Sequence, residues 1–254
     1  MDTNKAWKDW GKRDPYFGVL TQEEYRRDKL DDEALRRFFD TGEEHVRHVF
    51  EVLHQQFSLT EVPKSIVDYG CGTGRLALPF ARRAAHVYGL DISEGMLDEA
   101  RKNSEKAQVT NVEYRLVTDN VLSALPESVD MIHSVIVFQH MERAQGESVF
   151  RALLSRLAVG GYGMIHFSLD SPYPLFRRVV SAIGNKFPPL HRILNSLRGK
   201  PLSDPRMIME SYNFPALMDI MRDAGIGSYF CERIDSGSVG LLIYFKKQNA
   251  NFIG

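Results

Sequence analysis

Cysteine is nearly absent: only Cys71 and Cys231 occur among 254 residues. They fall in different predicted elements and lack metal-ligand spacing, so neither a disulfide framework nor a zinc site is expected. A dominant charge sign is also missing. The formal net charge is −1, which gives the whole chain no polyanion-binding signature. No apolar run reaches the length of a membrane span, and the polar start Met1-Asp-Thr-Asn-Lys-Ala lacks a signal peptide's apolar region. Internal repeats and low-complexity stretches are absent as well. Together these gaps lead to the expectation of a soluble, cytoplasmic protein. The length suits one large α/β domain with an accessory piece.

What is present is a glycine loop. Ile66 and Val67 form a short apolar run that ends at Asp68, and Gly70, Gly72 and Gly74 follow in the order G-x-G-x-G. Beyond Arg75, the residues Leu76, Ala77, Phe80 and Ala81 recur three and four apart, so a strand, a tight turn and a helix are predicted. The glycines let a ligand approach the main chain closely. The N–H groups opening the helix are expected to lack partners and to favour an anionic ligand group. A second apolar strand, Ala84 to Leu90, ends at Asp91, about 20 positions on, where a carboxylate suits ribose hydroxyls. A nicotinamide fingerprint needs G-x-G-x-x-G. Here Arg75 fills the slot of the third glycine and Asp68 precedes the loop, which argues against a dinucleotide. A purely structural strand–helix turn would account for the glycines but not for two placed carboxylates.

Asp68-Tyr-Gly-Cys-Gly-Thr-Gly74, with Gly89-Leu-Asp-Ile-Ser93 and Met96-Leu97, resembles the class I S-adenosylmethionine-dependent methyltransferases of small-molecule type. The resemblance runs from about residue 64 to 169 and resumes from about 213 to 246. It implies a Rossmann-like, mostly parallel seven-stranded sheet with an antiparallel C-terminal strand. By the same resemblance, S-adenosylmethionine is the cofactor and S-adenosylhomocysteine the product. Asp68, Gly70, Cys71, Gly72 and Gly74 would hold its methionine half, and Asp91 its ribose. Ile92 and Met96 would flank the adenine, with Asp119, Asn120 and Val135 completing the cofactor site. An acidic residue at the position of Asp119 typically bonds the adenine amino group; alternatively, Asp119 caps the following short helix.

Residues 1–60 read as a helical N-terminal cap, best over 31–39 and 43–57. In the second segment Val46, Val49, Phe50, Leu53 and Phe57 make one apolar stripe, with His45, Arg47, His48 and Glu51 mainly on the other faces. The core, 61–169 and 213–248, alternates. Strands are expected at 65–69, 85–90, 112–118, 129–137 and 161–169, and helices at 74–83, 94–106, 143–158 and 213–224. Such alternation implies a parallel sheet with its ligand at the strands' carboxyl ends. Tyr229 to Ile234 and Val239 to Lys246 are joined by a short link, so they must run antiparallel. Residues 170–212 break the pattern with six prolines and read as an inserted lid or substrate segment before the last helix. Between Ser171 and Ser203 this segment carries Arg177, Arg178, Lys186, Arg192, Arg198 and Lys200 and no acidic residue. It suits an acidic or phosphate-bearing substrate, or transient contact with an anionic membrane surface, or is merely a solvated lid face. No aromatic–basic module of an RNA-binding protein is present, so nucleic acid is not the expected partner.

Methyl transfer from a sulfonium is an in-line displacement, so positioning and deprotonating the acceptor are what the protein must provide. Gln139 and His140 leave the fourth strand where the acceptor should lie. His140 is the candidate general base, or else it packs at the next helix's first turn. His166, on the fifth strand, is a weaker base candidate, and His133 reads as a satisfied core histidine. Tyr16 and Tyr25, in a segment dense in aromatics, are candidates to orient the acceptor together with Arg177 and Arg178. The tyrosines would equally serve to staple the N-terminal helices to the domain. The expectation is an enzyme methylating an O or N atom of a small-molecule or sugar-containing biosynthetic acceptor, for which an anionic group would suit the basic insertion. An RNA or protein methyltransferase and a non-catalytic cofactor-binding module are the alternatives. Oligomeric state is not legible.

Overall fold

The computed structural model describes residues 3–169, 209–235 and 239–248. Arg177, Arg178 and most of the 170–212 segment lie outside the described residues. After two short N-terminal helices, α1 (Thr3–Arg13) and α2 (Pro15–Val19), comes a long one, α3 (Asp32–Phe57). The alternating core follows: β1 (Ser65–Tyr69), α4 (Ala77–Ala81), β2 (His86–Asp91), α5 (Glu94–Lys106), β3 (Val112–Leu116), α6 (Val121–Ala124) and β4 (Val129–Ser134). It continues through α7 (Arg143–Arg156) into β5 (Leu157–Ser168), and after α8 (Phe214–Asp223) it closes with β6 (Tyr229–Asp235) and β7 (Val239–Lys246). The seven strands form one sheet in the order β3-β2-β1-β4-β5-β7-β6. β1 to β5 run parallel, and β7 is antiparallel to both β5 and β6. The short link between β6 and β7 makes that pair antiparallel, because a parallel return would need a long crossover.

Period-2 alternation sorts the core onto two faces. Val67, Tyr69, Ile132, Ile165 and Phe167 point to one face, where Phe150, Leu153, Leu154, Leu217 and Ile220 of α7 and α8 cover them. Ile66, Met131, Met164, Leu242 and Tyr244 point to the other, covered by Val46, Val49 and Leu53 of α3, by α4 and by Leu97 of α5. The first turn of α3 is capped by Asp31, whose carboxylate accepts from Ala34 N at 2.7 Å. Among the described residues, no helix is long and apolar enough to cross a membrane.

Three local readings differ from expectation. The two segments 31–39 and 43–57 are one continuous helix. Asp40, Thr41 and Gly42 are poor helix formers, but here Thr41 and Gly42 are packing residues. Gly42 lies against the Arg75 carbonyl, where a Cβ has no room, and Thr41 Oγ1 accepts from Arg75 Nη1 at 3.2 Å. The helix after the glycine loop is only Ala77–Ala81, because Pro79 has no N–H to donate to Arg75 O. β4 stops at Ser134 rather than 137, since Ile136 turns into the left-handed region at φ 60.

Candidate functional site

A cavity of about 300 Å³ opens at the carboxyl ends of β1, β2, β3 and β4, the position that parallel α/β sheets reserve for ligands. Its floor is the glycine loop, in which Gly70, Gly72 and Gly74 all take positive φ. Gly70 N and Cys71 N both donate to Leu90 O, at 2.7 and 3.0 Å, and Gly72 N donates to Asp91 Oδ2 at 3.0 Å. The N–H groups of Gly70, Cys71 and Gly72 are thus spent on tying the loop to β2.

Asp91 is held from both sides, since Ser93 N donates to its Oδ1 at 2.9 Å. Each carboxylate oxygen keeps a second lone pair for a ligand hydroxyl. Burial pushes this carboxyl up to about 6, the backbone donors of Ser93, Gly72 and Ile92 pull it back, and the neighbouring Asp68 raises it further. Asp68 itself is buried. Its Oδ1 accepts from His133 Nδ1 at 2.9 Å, while Oδ2 is buried beside the cavity with no partner among the described residues. Arg75 lines the same end of the cavity, and its Nε is likewise buried without a partner. Desolvation brings its guanidinium down to about 10, still charged at neutral pH. An unpaired carboxylate oxygen and an unpaired guanidinium nitrogen at one end of a cavity complement a zwitterionic amino-acid group. The residues present therefore fit an S-adenosylmethionine molecule: Asp68 and Arg75 for its amino-acid end, Asp91 for its ribose.

Ile92, Met96, Val135 and Cys71 all line the cavity. Burial holds the Cys71 thiol protonated, well above its ordinary range. Asp119 is exposed on the cavity wall, and the capping alternative falls on its neighbour. Asn120 Oδ1 accepts from Leu122 N at 3.1 Å, and Asn120 is not among the cavity residues.

Ile136, Val137, His140 and Met141 also line the cavity, together with Asn4 and Trp7 of α1. Asn4, Trp7 and Gly11 share one helix face. Gly11 and Gly95 let α1 cross α5 closely, with no room for a Cβ on either. That crossing holds Trp7 over the cavity, where its ring meets the His140 ring at 4.8 Å between centroids. His140 is buried, and its Nε2 lies 3.1 Å from Gln139 Nε2. Ser168 Oγ donates to Gln139 Oε1 at 3.0 Å, which leaves the Gln139 amide N–H to face His140. Gln139 is thus behind the wall, bracing His140.

His166 does not reach the cavity. Its Nδ1 accepts from Ile136 N at 3.3 Å, supporting that residue's left-handed backbone. Burial, then the nearby His140, takes it down to about 4, so it is a poor base at neutral pH. Tyr16 and Tyr25 are also placed away from the cavity. The Tyr16 hydroxyl donates to Asn103 Oδ1 at 3.0 Å, and Asn103 Nδ2 donates to Thr73 O at 3.0 Å, stapling α2 to the glycine loop. Tyr25 packs edge-on against Phe38. His45 departs from the outward face expected of it: it turns into the sheet and meets His133 at 3.0 Å. Trp7, one of the N-terminal aromatics expected either to line the acceptor pocket or to staple the helices, lines the cavity; Arg75 and Ile136 line it too and were not singled out as ligand contacts from the sequence.

Residues 66–161 match the family model described as a methyltransferase domain. Over 100 residues the chain is 32% identical to the ubiquinone biosynthesis O-methyltransferase of Acinetobacter baylyi, covering 39% of this chain and 41% of that one. Over 76 residues it is 41% identical to the enzyme of the same name from Dinoroseobacter shibae, covering 30% of each. The match thus spans less than half the length of either relative. Among solved structures, magnesium protoporphyrin IX methyltransferase from Synechocystis, with S-adenosylhomocysteine bound, superposes with a TM-score of 0.61 at 18% identity. That alignment covers 95% of this chain and 98% of the other, which establishes a shared fold. Domain match, relatives and fold agree with the glycine loop: residues 66–161 match a methyltransferase domain, and the chain shares the fold of a methyltransferase solved with S-adenosylhomocysteine bound.

Proposed function

We propose that the protein transfers a methyl group from S-adenosylmethionine to an oxygen atom of a small-molecule biosynthetic acceptor. The observation that carries this reading is the two-ended cavity. One end presents Asp68, Arg75 and Asp91 to a zwitterionic nucleoside, and the other presents Trp7, Ile136, Met141 and His140 under the roof of α1. The names of the curated relatives, which are O-methyltransferases of ubiquinone biosynthesis, favour oxygen over nitrogen. A roofed, largely apolar acceptor end favours a small molecule over a polymer.

S-adenosylmethionine, when bound, supplies an electrophilic methyl group. The chain's own part is orientation and proton handling. Asp68 and Arg75 fix the amino-acid end, Asp91 the ribose, and the α1 roof excludes water. His140 receives the proton of the acceptor hydroxyl on its imidazole as the new C–O bond forms. In the structure its Nε2 accepts from the Gln139 amide, so the proton transfer exchanges that bond for the substrate's. Beside this wall Leu169 bridges Tyr212, and Glu210 N donates to Gln139 O at 2.7 Å.

The test has two stages. Calorimetry should show S-adenosylhomocysteine binding to the purified protein, and its absence refutes the donor assignment. Turnover with isotopically methyl-labelled donor should then label hydroxylated small molecules from a metabolite extract. Label appearing only in RNA or protein refutes the acceptor class, and binding without any transfer refutes catalysis. His140→Ala should lower turnover far more than donor affinity; equal rates would remove the base role alone.

A further inference from the structure

A buried chain of three side chains runs from the cofactor end of the cavity to α3. His133 lies on β4 directly beside Asp68 of β1, the two being register partners on the same sheet face. It is fully buried, and its ring is held edge-on by Phe80 at 4.9 Å. Its Nδ1 is 2.9 Å from Asp68 Oδ1, and its Nε2 is 3.0 Å from His45 Nε2. An ionised carboxylate only accepts, so Nδ1 must carry a proton and donate to Asp68. Burial, reinforced by His133, holds His45 well below the usual histidine range, so His45 is neutral. A neutral His45 with its proton on Nε2 donates to His133 Nε2, and every bond in the chain then points toward Asp68.

We propose that His133, backed by His45, is a positioning residue that fixes Asp68 so that its second carboxylate oxygen faces the amino-acid end of the methyl donor. A carboxylate that served only to satisfy a core histidine would have no reason to leave Oδ2 buried and unpaired beside the cavity. Here one oxygen is locked and the other is held ready. Through His45 the same chain makes the N-terminal helix α3 part of the donor site. Its neighbour Thr41 does the same for Arg75, so both charges at that end of the cavity are braced from one helix. This inference rests on the reading of Asp68 and Arg75 as the amino-acid end of the donor site.

The experiment compares two ligands by calorimetry: S-adenosylhomocysteine, and methylthioadenosine, which keeps the nucleoside and lacks the amino-acid end. His133→Leu should weaken S-adenosylhomocysteine by about tenfold to a hundredfold, the range for a hydrogen bond to a charged group, and leave methylthioadenosine unchanged. His133→Asn, whose Nδ2 replaces the ring Nδ1 donor, should restore most of the loss. His45→Ala, at the partly exposed end of the chain, should give a smaller loss with the same selectivity and does not depend on refilling the core. Equal weakening of both ligands, or unchanged S-adenosylhomocysteine affinity in the variants, overturns the positioning role while leaving the donor reading intact. A parent protein that binds neither ligand overturns both.

Discussion

Asp91→Asn separates what this carboxylate does for the ligand from what it costs the fold. In the ligand-free protein burial raises the carboxyl from its ordinary value to about 6. A carboxyl raised on folding binds its proton more tightly in the native state, so native stability is highest at low pH. It is lost as pH climbs from about 4 through about 6, the reverse of a salt-bridged aspartate. Two pH units correspond to about 3 kcal/mol by pH 7. Asparagine removes that charge but sets an amide N–H₂ against one of the donors, Gly72 N or Ser93 N, at about 1–3 kcal/mol for the unmatched pair. The two effects nearly cancel. The melting temperature of the ligand-free variant should therefore stay close to the parent's. Binding behaves differently, because ribose hydroxyls donate to an ionised acceptor. Loss of the charge should weaken S-adenosylhomocysteine by about 1.5–3 kcal/mol, roughly tenfold to a hundredfold. The pH profile provides the sharper check. Parent affinity should fall about tenfold between pH 7 and pH 5 as Asp91 protonates, and the variant should be flat across that window. A variant that keeps the parent's slope, or a parent with none, would refute the assignment of Asp91 to the ligand.

Gly42→Ala swaps in a better helix former, worth about 1 kcal/mol by propensity, yet its Cβ would strike the Arg75 carbonyl, which is backbone and cannot swing away. Net destabilisation of about 1–2 kcal/mol is expected by denaturant titration, and a gain in stability would show that α3 can shift. Ile136→Gly relieves a left-handed β-branched residue, a strain of about 1–2 kcal/mol, against about 0.5–1 kcal/mol of added chain entropy. Stability should hold or rise slightly while acceptor KM worsens; a large loss of stability would mean that the residue is packed rather than strained. Trp7→Ala opens the roof and removes the ring contact with His140. Acceptor KM should rise severalfold with donor affinity nearly unchanged, and a parallel loss of both would assign Trp7 to the donor.

The sheet was legible because its signals are local. Apolar runs ending at Asp68 and Asp91 mark two of the parallel strands, and the link between β6 and β7, too short for a crossover, makes that pair antiparallel. The candidate donor site was legible for the same reason, since a glycine loop and its carboxylates are written along twenty-odd residues. What escaped depends on meetings between distant segments. His45 sits at a position whose helical phase reads as outward, yet a carboxylate-bound His133 waits on β4, and a buried hydrogen-bonding group draws a partner inward more strongly than periodicity pushes it out. Tyr16 and Tyr25 read equally as acceptor contacts or as staples of the N-terminal helices, and only their meetings with Asn103 and Phe38 decide for the staple. Gly42 read as a gap between two helices because propensity counts only the helix itself. With the Arg75 carbonyl in place, a residue without Cβ is the one that lets α3 pass unbroken. Thr41, Gly42 and His45 therefore belong together: the weak turn in the helical pattern is where α3 docks on the donor site, and its poor propensity records that contact.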